Sequence, residues 1–355
     1  SSFNATSSTG YQLNGVTIAT ASTTKNNFFY AGADTIDTNL GTYNIAMGPS
    51  AMYYATSGAN NFAVGHYAMQ GQPGYGNTGS YNNGLGYAAL TRNTTGSSNN
   101  ALGYSALFWN TSGSYNNALG NYSLTTNTTG SNNNALGYFA LYFNTSGSFN
   151  DASGNGALRA NTTGSYNSAL GYQSLFSNQT GSSLNAIGWN SLFNTTGASS
   201  TALGSWAGQT NTSGNNNLYL GDEADALAGT YSNSAAIGSH AKVGASNSIV
   251  LGGTGSWASN VAIGTSTPWA KLSIQNTYGS QNALFDVASS TNVSGSATTS
   301  IFTVLPNGKV GVGTSSPNAR LGISLGVSGG TNYAIQALVS GNSGTNYGAH
   351  FSAGG

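Results

Sequence analysis

The chain has 355 residues, a formal net charge of zero, no cysteine and only 4% charged residues, against about 25% in typical soluble domains. A chain without a basic field is not expected to bind nucleic acid or an anionic membrane surface. Without cysteine it has neither disulfides nor thiolate metal sites. No apolar run reaches the ~20 residues that span a bilayer, so membrane insertion of this segment is not expected.

Residues 1–40 precede the first clear repeat and are predicted to form a separate strand-containing segment. The stretch YQLNGVTIATAST at 11–23 is typical of a strand, and we expect this strand to lack partners within the regular repeats. It either caps the first repeat or joins a neighbouring subunit head to tail by strand addition, and the joint is the preferred interpretation. Its apolar anchors would be Val16, Ile18, Phe28, Phe29 and Tyr30.

Residues 41–265 repeat one sequence unit many times. The glycine that closes each A-L-G triplet or its equivalent recurs every 17 residues from Gly86 to Gly188, and in the first six of these units a second glycine follows ten residues later. Equivalent glycines extend the series to Gly48 and Gly264, with a wider step at the insert QGQPGYG. Such regular repetition predicts a stack of similar coils.

Each unit is predicted to form a coil of two short strands and two turns. The segments N-N-A-L-G and Y-S-A-L-F are too short for helices and are bounded by turn residues, and N-T-T-G is a turn sequence. Coils about 4.8 Å apart would give an all-β solenoid, or β-roll, on the order of 60 Å long. The inward residues are predicted to be Leu102, Leu107, Leu119, Leu124, Leu136 and Leu141.

The predicted core is thin for a chain that stands alone. Each coil offers two large aliphatic side chains, whereas a three-sided solenoid would need three evenly spaced apolar segments. We therefore expect several rolls to bury a common axis, with a parallel homotrimer preferred. A two-sided roll that packs its faces against itself is the alternative.

Residues 266–325 are predicted to contain two small β-modules. A motif of the form G-[IV]-G-T-x-x-P-x-x-[KR]-L occurs as VAIGTSTPWAKLSI at 261–274 and as VGVGTSSPNARLGI at 310–323. The segment between the two motifs alternates like two strands and contains a P-N-G turn sequence.

Residues 326–355 begin a third pattern, with a period of 14 residues. Tyr333 and Tyr347 occupy equivalent positions in it, and we interpret the segment as the start of a repetitive shaft. The sequence stops within this repeat, so we expect the natural chain to be longer.

These motifs resemble those of known fibre proteins. The N-x-A-[LIV]-G segments of 41–264 are similar to the β-roll heads of trimeric autotransporter adhesins, although those repeats are commonly shorter than 17 residues. The N-T-T-G-S-x-N-x-A-x-G-x-x-A-L arrays, followed by the motif at 261–274 and 310–323, resemble large bacterial and phage fibre proteins. The resemblance covers most of 11–325 and implies an extracellular, cell-surface or virion-attached fibre with a trimeric core.

Groups that could support catalysis are sparse and dispersed, so no catalytic residue or cofactor is expected and the chain is not expected to be an enzyme. The one candidate metal site is the acidic cluster Asp222, Glu223 and Asp225, which could supply oxygens for Ca²⁺ if three copies of the chain met there. A solvated turn is the preferred interpretation of this cluster.

The N-T-T-G turns contain sequons for N-glycosylation, about one per coil. A ladder of asparagines that cap the turn backbone is the preferred interpretation, and a column of glycans is the alternative. The sequon asparagines are Asn93, Asn110, Asn127, Asn144, Asn161, Asn178, Asn194 and Asn211.

Uniform repeats without a charged constellation favour a structural protein of an extracellular filament or fibre that associates with itself. The alternative is an adhesin or phage tail fibre that binds a cell-surface receptor or glycan. For that role, the insert at 71–77, which reads GQPGYGN, and the segment at 222–225 are the places where the repeat pattern breaks.

Overall fold

The computed structural model describes residues 4–6, 10–13, 16–22, 25–30, 40–253, 255–275, 282–290, 298–317 and 320–323. The chain forms two compact units, Ser1–Ser259 and Asn260–Gly355. The described part of the chain contains no helix that is both long and apolar enough to cross a lipid bilayer.

The first unit is built from short β-strands. They are β1 (Asn4–Thr6), β2 (Gly10–Leu13), β3 (Val16–Ser22), β4 (Asn27–Tyr30), β5 (Ile45–Met47), β6 (Phe62–Val64), β7 (Asn83–Leu85), β8 (Asn100–Leu102), β9 (Asn117–Leu119), β10 (Asn134–Leu136), β11 (Asp151–Ser153), β12 (Ser168–Leu170), β13 (Asn185–Ile187), β14 (Thr201–Leu203), β15 (Leu218–Leu220), β16 (Asp225–Ala226), β17 (Ala235–Ile237), β18 (Lys242–Val243) and β19 (Ile249–Leu251). A short 3-10 helix, Gly255–Trp257, follows.

The strands stack as parallel coils. From β5 to β15, and on through β17 and β19, each strand pairs in parallel with its equivalent in the next coil. In the regular part a residue pairs with the one 17 positions later, as Asn100 does with Asn117. The fold is an all-β parallel solenoid of about 13 coils, which confirms the predicted β-solenoid.

Each coil strand turns its middle residue inward. Residues of a strand point alternately to the two faces, so in β8 Ala101 is buried while Leu102 is 51% exposed. Leu119 and Leu136, at 39% and 54% exposed, also lie on the outside of the coil. The prediction that these three leucines point inward is therefore wrong. The other three leucines predicted to point inward, Leu107, Leu124 and Leu141, are fully buried in the core.

The second apolar segment of each coil is a series of turns and not the predicted strand, as residues 104–108 show. Ser105 and Leu107 have φ angles of 52° and 51°, in the left-handed region that an extended strand does not use. These φ angles let the chain change direction, while backbone hydrogen bonds still join neighbouring coils. The Ser105 N–H donates to Tyr87 O at 2.9 Å, and the Leu107 N–H donates to Ser123 O at 3.0 Å.

A column of buried asparagines runs beside the strands, a feature that the sequence-based expectations lack. The Asn99 N–H donates to Asn82 Oδ1 at 2.9 Å, and Asn99 Nδ2 donates to Gly113 O, also at 2.9 Å. Each residue of the column thus bonds the preceding coil through its backbone N–H and the following coil through its side-chain amide, which satisfies polar groups that burial would otherwise leave unpaired. The column consists of Asn44, Asn61, Asn82, Asn99, Asn116, Asn133, Asn150 and Asn167.

The glycine that ends each N-T-[TS]-G turn is required by the close approach of successive coils. A Cβ atom placed on Gly113 would collide with the carbonyl oxygen of Gly130, and one on Gly130 would collide with that of Gly147. The collision is with backbone, which has little freedom to move. The regular spacing of this second glycine is therefore a steric requirement of the stack.

The residues before the first coil fold as a cap within the same chain. β1, β2, β3 and β4 form an antiparallel series, and β4 then pairs in parallel with β5. β3, the strand predicted at 11–23, pairs with β2 and β4 and with no coil strand among the described residues, whereas β4 extends the stack because it alternates like a coil strand. Phe29 is buried in line with Ala46, and Tyr30 is exposed.

Of the apolar anchors predicted for a joint between chains, Phe29 is thus held in the core of its own chain. Phe28 is half-buried in the same strand. The side chains of Val16 and Ile18 lie outside the described residues. The pairing of β4 with β5 favours the cap over the joint.

Two neighbouring coils exchange a large and a small residue in the core. Tyr219 occupies the inward strand position that alanine fills in most other coils, and its side chain is fully buried. In the coil that precedes Tyr219, Gly208 occupies the position where most other coils have a buried leucine. A Cβ atom on Gly208 would lie 2.5 Å from the Tyr219 ring and 2.7 Å from Leu192. The tyrosine ring therefore fills the space that the missing leucine leaves.

The second unit contains β20 (Val261–Ile263), β21 (Leu272–Ile274), β22 (Phe285–Ser290), β23 (Thr298–Val304), β24 (Val310–Val312) and β25 (Leu321–Ile323). β20 pairs in parallel with β21, and β24 pairs in parallel with β25. Each copy of the G-T-x-x-P motif thus links two parallel strands. Because β20 pairs with β21, the solenoid ends before the predicted boundary at residue 265.

Between the two motifs, β22 and β23 pair antiparallel, and the P-N-G sequence turns β23 into β24, also antiparallel. Gly308 closes this turn, donating to Leu305 O at 3.0 Å. The predicted 14-residue repeat at 326–355, with Tyr333 and Tyr347, lies outside the described residues.

Candidate interaction surface

The outer face of the coil strands carries an exposed row of aliphatic side chains, which we call the leucine stripe. Its members are the third residues of successive strands, so parallel pairing places each directly beside the next. Ser153 interrupts the row once. The leucine stripe comprises Leu102, Leu119, Leu136, Leu170, Ile187, Leu203 and Leu220, all exposed.

Beside the stripe runs a row of amides from the first residues of β7, β8, β9 and β10. Asn100 Nδ2 donates to Asn117 Oδ1 at 2.7 Å, and Asn117 Nδ2 donates to Asn134 Oδ1 at the same distance. The row ends at Asp151, which accepts from Asn134. Asp151 is the one charged residue among the paired residues of β5 to β15, so this face of the solenoid is flat, apolar and almost neutral.

Aromatic rings stand two or three residues beyond the third residue of each strand, across the turn glycine. Tyr87 and Tyr104 stack with ring centroids 5.0 Å apart, and Tyr104 lies 5.1 Å from Tyr122. Tyr172 and Trp189 meet edge to face at 6.1 Å. These rings widen the exposed apolar surface. Contiguous apolar surface of this kind marks interaction sites on soluble proteins.

The sequon asparagines form the predicted turn ladder. Asn127 Nδ2 donates to Asn110 Oδ1 at 2.8 Å and to Gly130 O at 2.9 Å, and Asn144 Nδ2 donates to Asn127 Oδ1 at 2.7 Å. A column of glycans is excluded on the folded chain, because the nitrogen that would carry the sugar is buried and bonded. The buried sequon residues are Asn93, Asn110, Asn127, Asn144, Asn161, Asn178 and Asn211.

Asn194 differs from the other sequon residues because its side chain is exposed. Its coil is one residue shorter, so Thr195 takes the place in the ladder. Asn211 Nδ2 donates to Thr195 Oγ1 at 2.8 Å, and Asn194 Nδ2 donates to Gln209 O at 3.1 Å.

The acidic cluster does not come together as one site. Asp225 is buried at the position of a core leucine, where its carboxylate accepts from the Thr210 N–H at 3.0 Å and the Ala226 N–H at 2.8 Å. Asp222 and Glu223 are exposed, and Glu223 lies 3.3 Å from His240. Among the described residues, no group of three or more His, Cys, Asp or Glu side chains is arranged to hold a metal ion.

The insert at 71–77 is a compact turn. Gln72, Pro73, Gly74 and Tyr75 form a tight reversal in which the Tyr75 N–H donates to Gln72 O at 3.1 Å and Gly74 has a φ of 77°. Proline followed by a glycine of positive φ is typical of a type II turn. The insert borders a cleft of about 390 Å³. The cleft is lined by Tyr54, Tyr67, Gln70, Gln72, Pro73, Tyr87, Thr91, Arg92 and Phe108, with Gly71 and Ala88.

Arg92 is the only charged residue that lines this cleft. Its guanidinium carbon lies 3.6 Å from the centroid of the Trp109 ring. The Gln72 amide, turned with its oxygen toward the guanidinium, accepts from Arg92 Nε at 3.0 Å and from Nη1 at 3.1 Å. The insert and a neighbouring coil thus hold one oriented cation among tyrosine rings.

No family model matches this chain, and no curated protein or solved structure matches it either. Within the part of the chain that the structure describes, the leucine stripe and the cleft are therefore taken as candidate sites.

Proposed function

We propose that the chain is a non-enzymatic structural protein of an extracellular filament or fibre, and that parallel copies associate through the leucine stripe as a homotrimer. The observation that carries the proposal is the stripe itself, a row of half-exposed aliphatic side chains over successive coils. Ser153 is its one interruption. The resemblance of the repeat and of the G-T-x-x-P motifs to fibre proteins supports the extracellular location.

A second copy of the chain fits the stripe better than an unrelated partner does. Parallel copies have the same coil spacing, so each leucine of one copy meets an equivalent residue of the next at every level. The near absence of charge on this face means that identical copies do not repel each other. Three copies around an axis would also shield the stripe on all sides, which supplies the apolar burial that the thin coil lacks.

The proposal is tested by sedimentation of the whole chain and of two variants. We expect a trimer for the natural chain, and a folded monomer when Leu119→Lys and Leu136→Lys are combined, because charges on the stripe oppose its burial. Lysines at Ser112 and Thr129, two exposed residues of successive N-T-[TS]-G turns, form the matched control and leave the trimer intact. Circular dichroism verifies the fold in each case. A natural chain that sediments as a stable monomer would refute the association, and electron micrographs without filaments or fibres would refute the structural role.

The insert favours a second candidate function, an adhesin or phage tail fibre that binds a receptor or glycan. A purely structural repeat has no need of a turn that departs from the pattern and encloses a cleft. The two functions are compatible, since a fibre can present a binding site along its length.

A further inference from the structure

We propose that the cleft beside the insert at 71–77 binds an acidic saccharide, with Arg92 as the group that receives the sugar carboxylate. The proposal goes beyond a structural role for the chain, and it rests on residues that the leucine stripe does not include. Three features of the cleft support it: its shape, its rings and its single cation.

The shape suits a small polar ligand. A volume of about 390 Å³ lies at the lower end of the range for small-molecule sites in proteins, roughly 300–1,000 Å³. It has room for the end of an oligosaccharide. The Pro73–Gly74 turn forms one wall and is held by its own hydrogen bond, so the wall exists before any ligand binds.

The rings suit a sugar. Tyr67 and Tyr87 meet edge to face with centroids 5.8 Å apart, and Tyr87 is exposed. The face of an aromatic ring is electron-rich and attracts the slightly positive C–H groups of a pyranose face. The hydroxyls of the tyrosines and the amides of Gln70 and Gln72 can exchange hydrogen bonds with sugar hydroxyls.

The cation points to an acid. A guanidinium has five N–H donors, and Gln72 takes two of those of Arg92, which leaves three. A carboxylate is the natural partner of this planar group. None of the residues that line the cleft is acidic, and the described residues provide no ion pair for Arg92. Stacking on Trp109 holds the guanidinium in place, so a ligand meets a preformed site.

The test is titration calorimetry on the whole chain with three probes: 3′-sialyllactose, tri-galacturonic acid and, as the neutral control, lactose. The first two carry a pyranose carboxylate from different sources, and the comparison shows which source the cleft accepts. We expect at least one of them to bind, and lactose to bind about tenfold more weakly or not at all, since a hydrogen bond to a charged group contributes about 1.5–3 kcal/mol.

Three variants locate the site. Arg92→Gln and Tyr87→Ala are each expected to weaken binding by about tenfold or more, and Tyr87 is exposed enough to be replaced without disturbing the fold. Arg159→Gln is the matched control, because Arg159 also lies among aromatic rings, 5.3 Å from Phe139 and Phe176, but does not line the cleft. The Arg159→Gln variant is expected to bind the acidic probes as tightly as the unsubstituted chain does.

The outcomes are separable. Absence of binding by both acidic probes, equal binding of lactose, or binding that survives both Arg92→Gln and Tyr87→Ala would each overturn the proposal. None of these results tests association through the leucine stripe, which is measured by sedimentation of the chain.

Discussion

At the scale of single residues, the two leucines of one coil have opposite roles. Leu124 is fully buried, whereas Leu119 is 39% exposed on the strand before it. The first belongs to the core of the chain and the second to its surface. Their neighbours in adjacent coils repeat this division, so the same substitution at the two positions separates folding from association.

Replacing Leu124 with alanine is expected to lower the free energy of unfolding by about 2–5 kcal/mol, because it leaves a cavity in a packed core. Leu119→Ala in the same coil is expected to change the stability of the separate chain by less than about 0.5 kcal/mol. Urea denaturation at low protein concentration measures both. Equal losses for the two variants would show that the assignment of inner and outer faces is wrong.

Asp225 makes stability depend on pH in a direction unusual for an aspartate. Burial raises the pKa of its carboxyl, and hydrogen bonds from Thr210 and Ala226 oppose that shift only in part. The folded chain therefore favours the protonated form more than the unfolded chain does. The contribution to stability is fully present below the ordinary pKa of 3.8 and is lost as the pH rises through the raised value of the folded state.

The matching experiment compares the natural chain with Asp225→Asn by urea denaturation over a series of pH values. We expect the natural chain to lose stability relative to the variant as the pH increases from about 4. Asp222→Asn, at an exposed position next to Glu223, is the control for removing a surface charge. A difference that stays constant with pH, or grows in the other direction, would contradict the assignment.

At the scale of elements, the N-terminal strands protect the open end of the solenoid. β4 supplies the hydrogen bonds that the edge of β5 would otherwise lack, and an unpaired strand edge is a template for another chain. Deleting residues 1–30 is therefore expected to lower the melting temperature and to increase end-to-end aggregation. Dynamic light scattering and thermal melts measure these effects. Loss of polymer by a fully folded deletion variant would instead support the joint between chains.

At the scale of the whole molecule, the scarcity of charge determines how association responds to salt. The leucine stripe is apolar, so the association that we propose through it would not depend on charge pairs. Raising the ionic strength from about 0.01 M to about 1 M shortens the Debye length from ~30 Å to ~3 Å, and we expect the trimer to persist throughout. Sedimentation across this series is the measurement. Dissociation at high salt would point to charged contacts at some other surface.

The period of the sequence was enough to predict the solenoid, because one glycine in each coil must recur wherever backbones approach. It was not enough to assign the faces. In a strand of three residues such as N-A-L, alanine and leucine are both apolar, and too few residues are present to set the alternation. The available signal for the inward face was Tyr219, which stands where most coils have alanine, together with Gly208. A large residue replaces a small one inside the coil only where another residue has left space.

The candidate sites depended more heavily on tertiary structure. The insert at 71–77 was visible as a break in the pattern, but the cleft arises because Gln72 meets Arg92 of the next coil. Likewise, the sequon asparagines alternate with polar turn residues, and nothing local shows that their side chains turn inward. Only Asn194, displaced by the short coil, escapes that arrangement.

Near-identical coils create an ambiguity of alignment, and the exchange of Tyr219 and Gly208 resolves it. A strand that paired one coil out of step would find almost the same neighbours, so sliding would cost little in a perfectly uniform stack. Tyr219 fits only where Gly208 leaves room, because a leucine there would overlap its ring. The packing of Tyr219 against Gly208 thus favours one alignment of the coils over the alternatives as the chain folds.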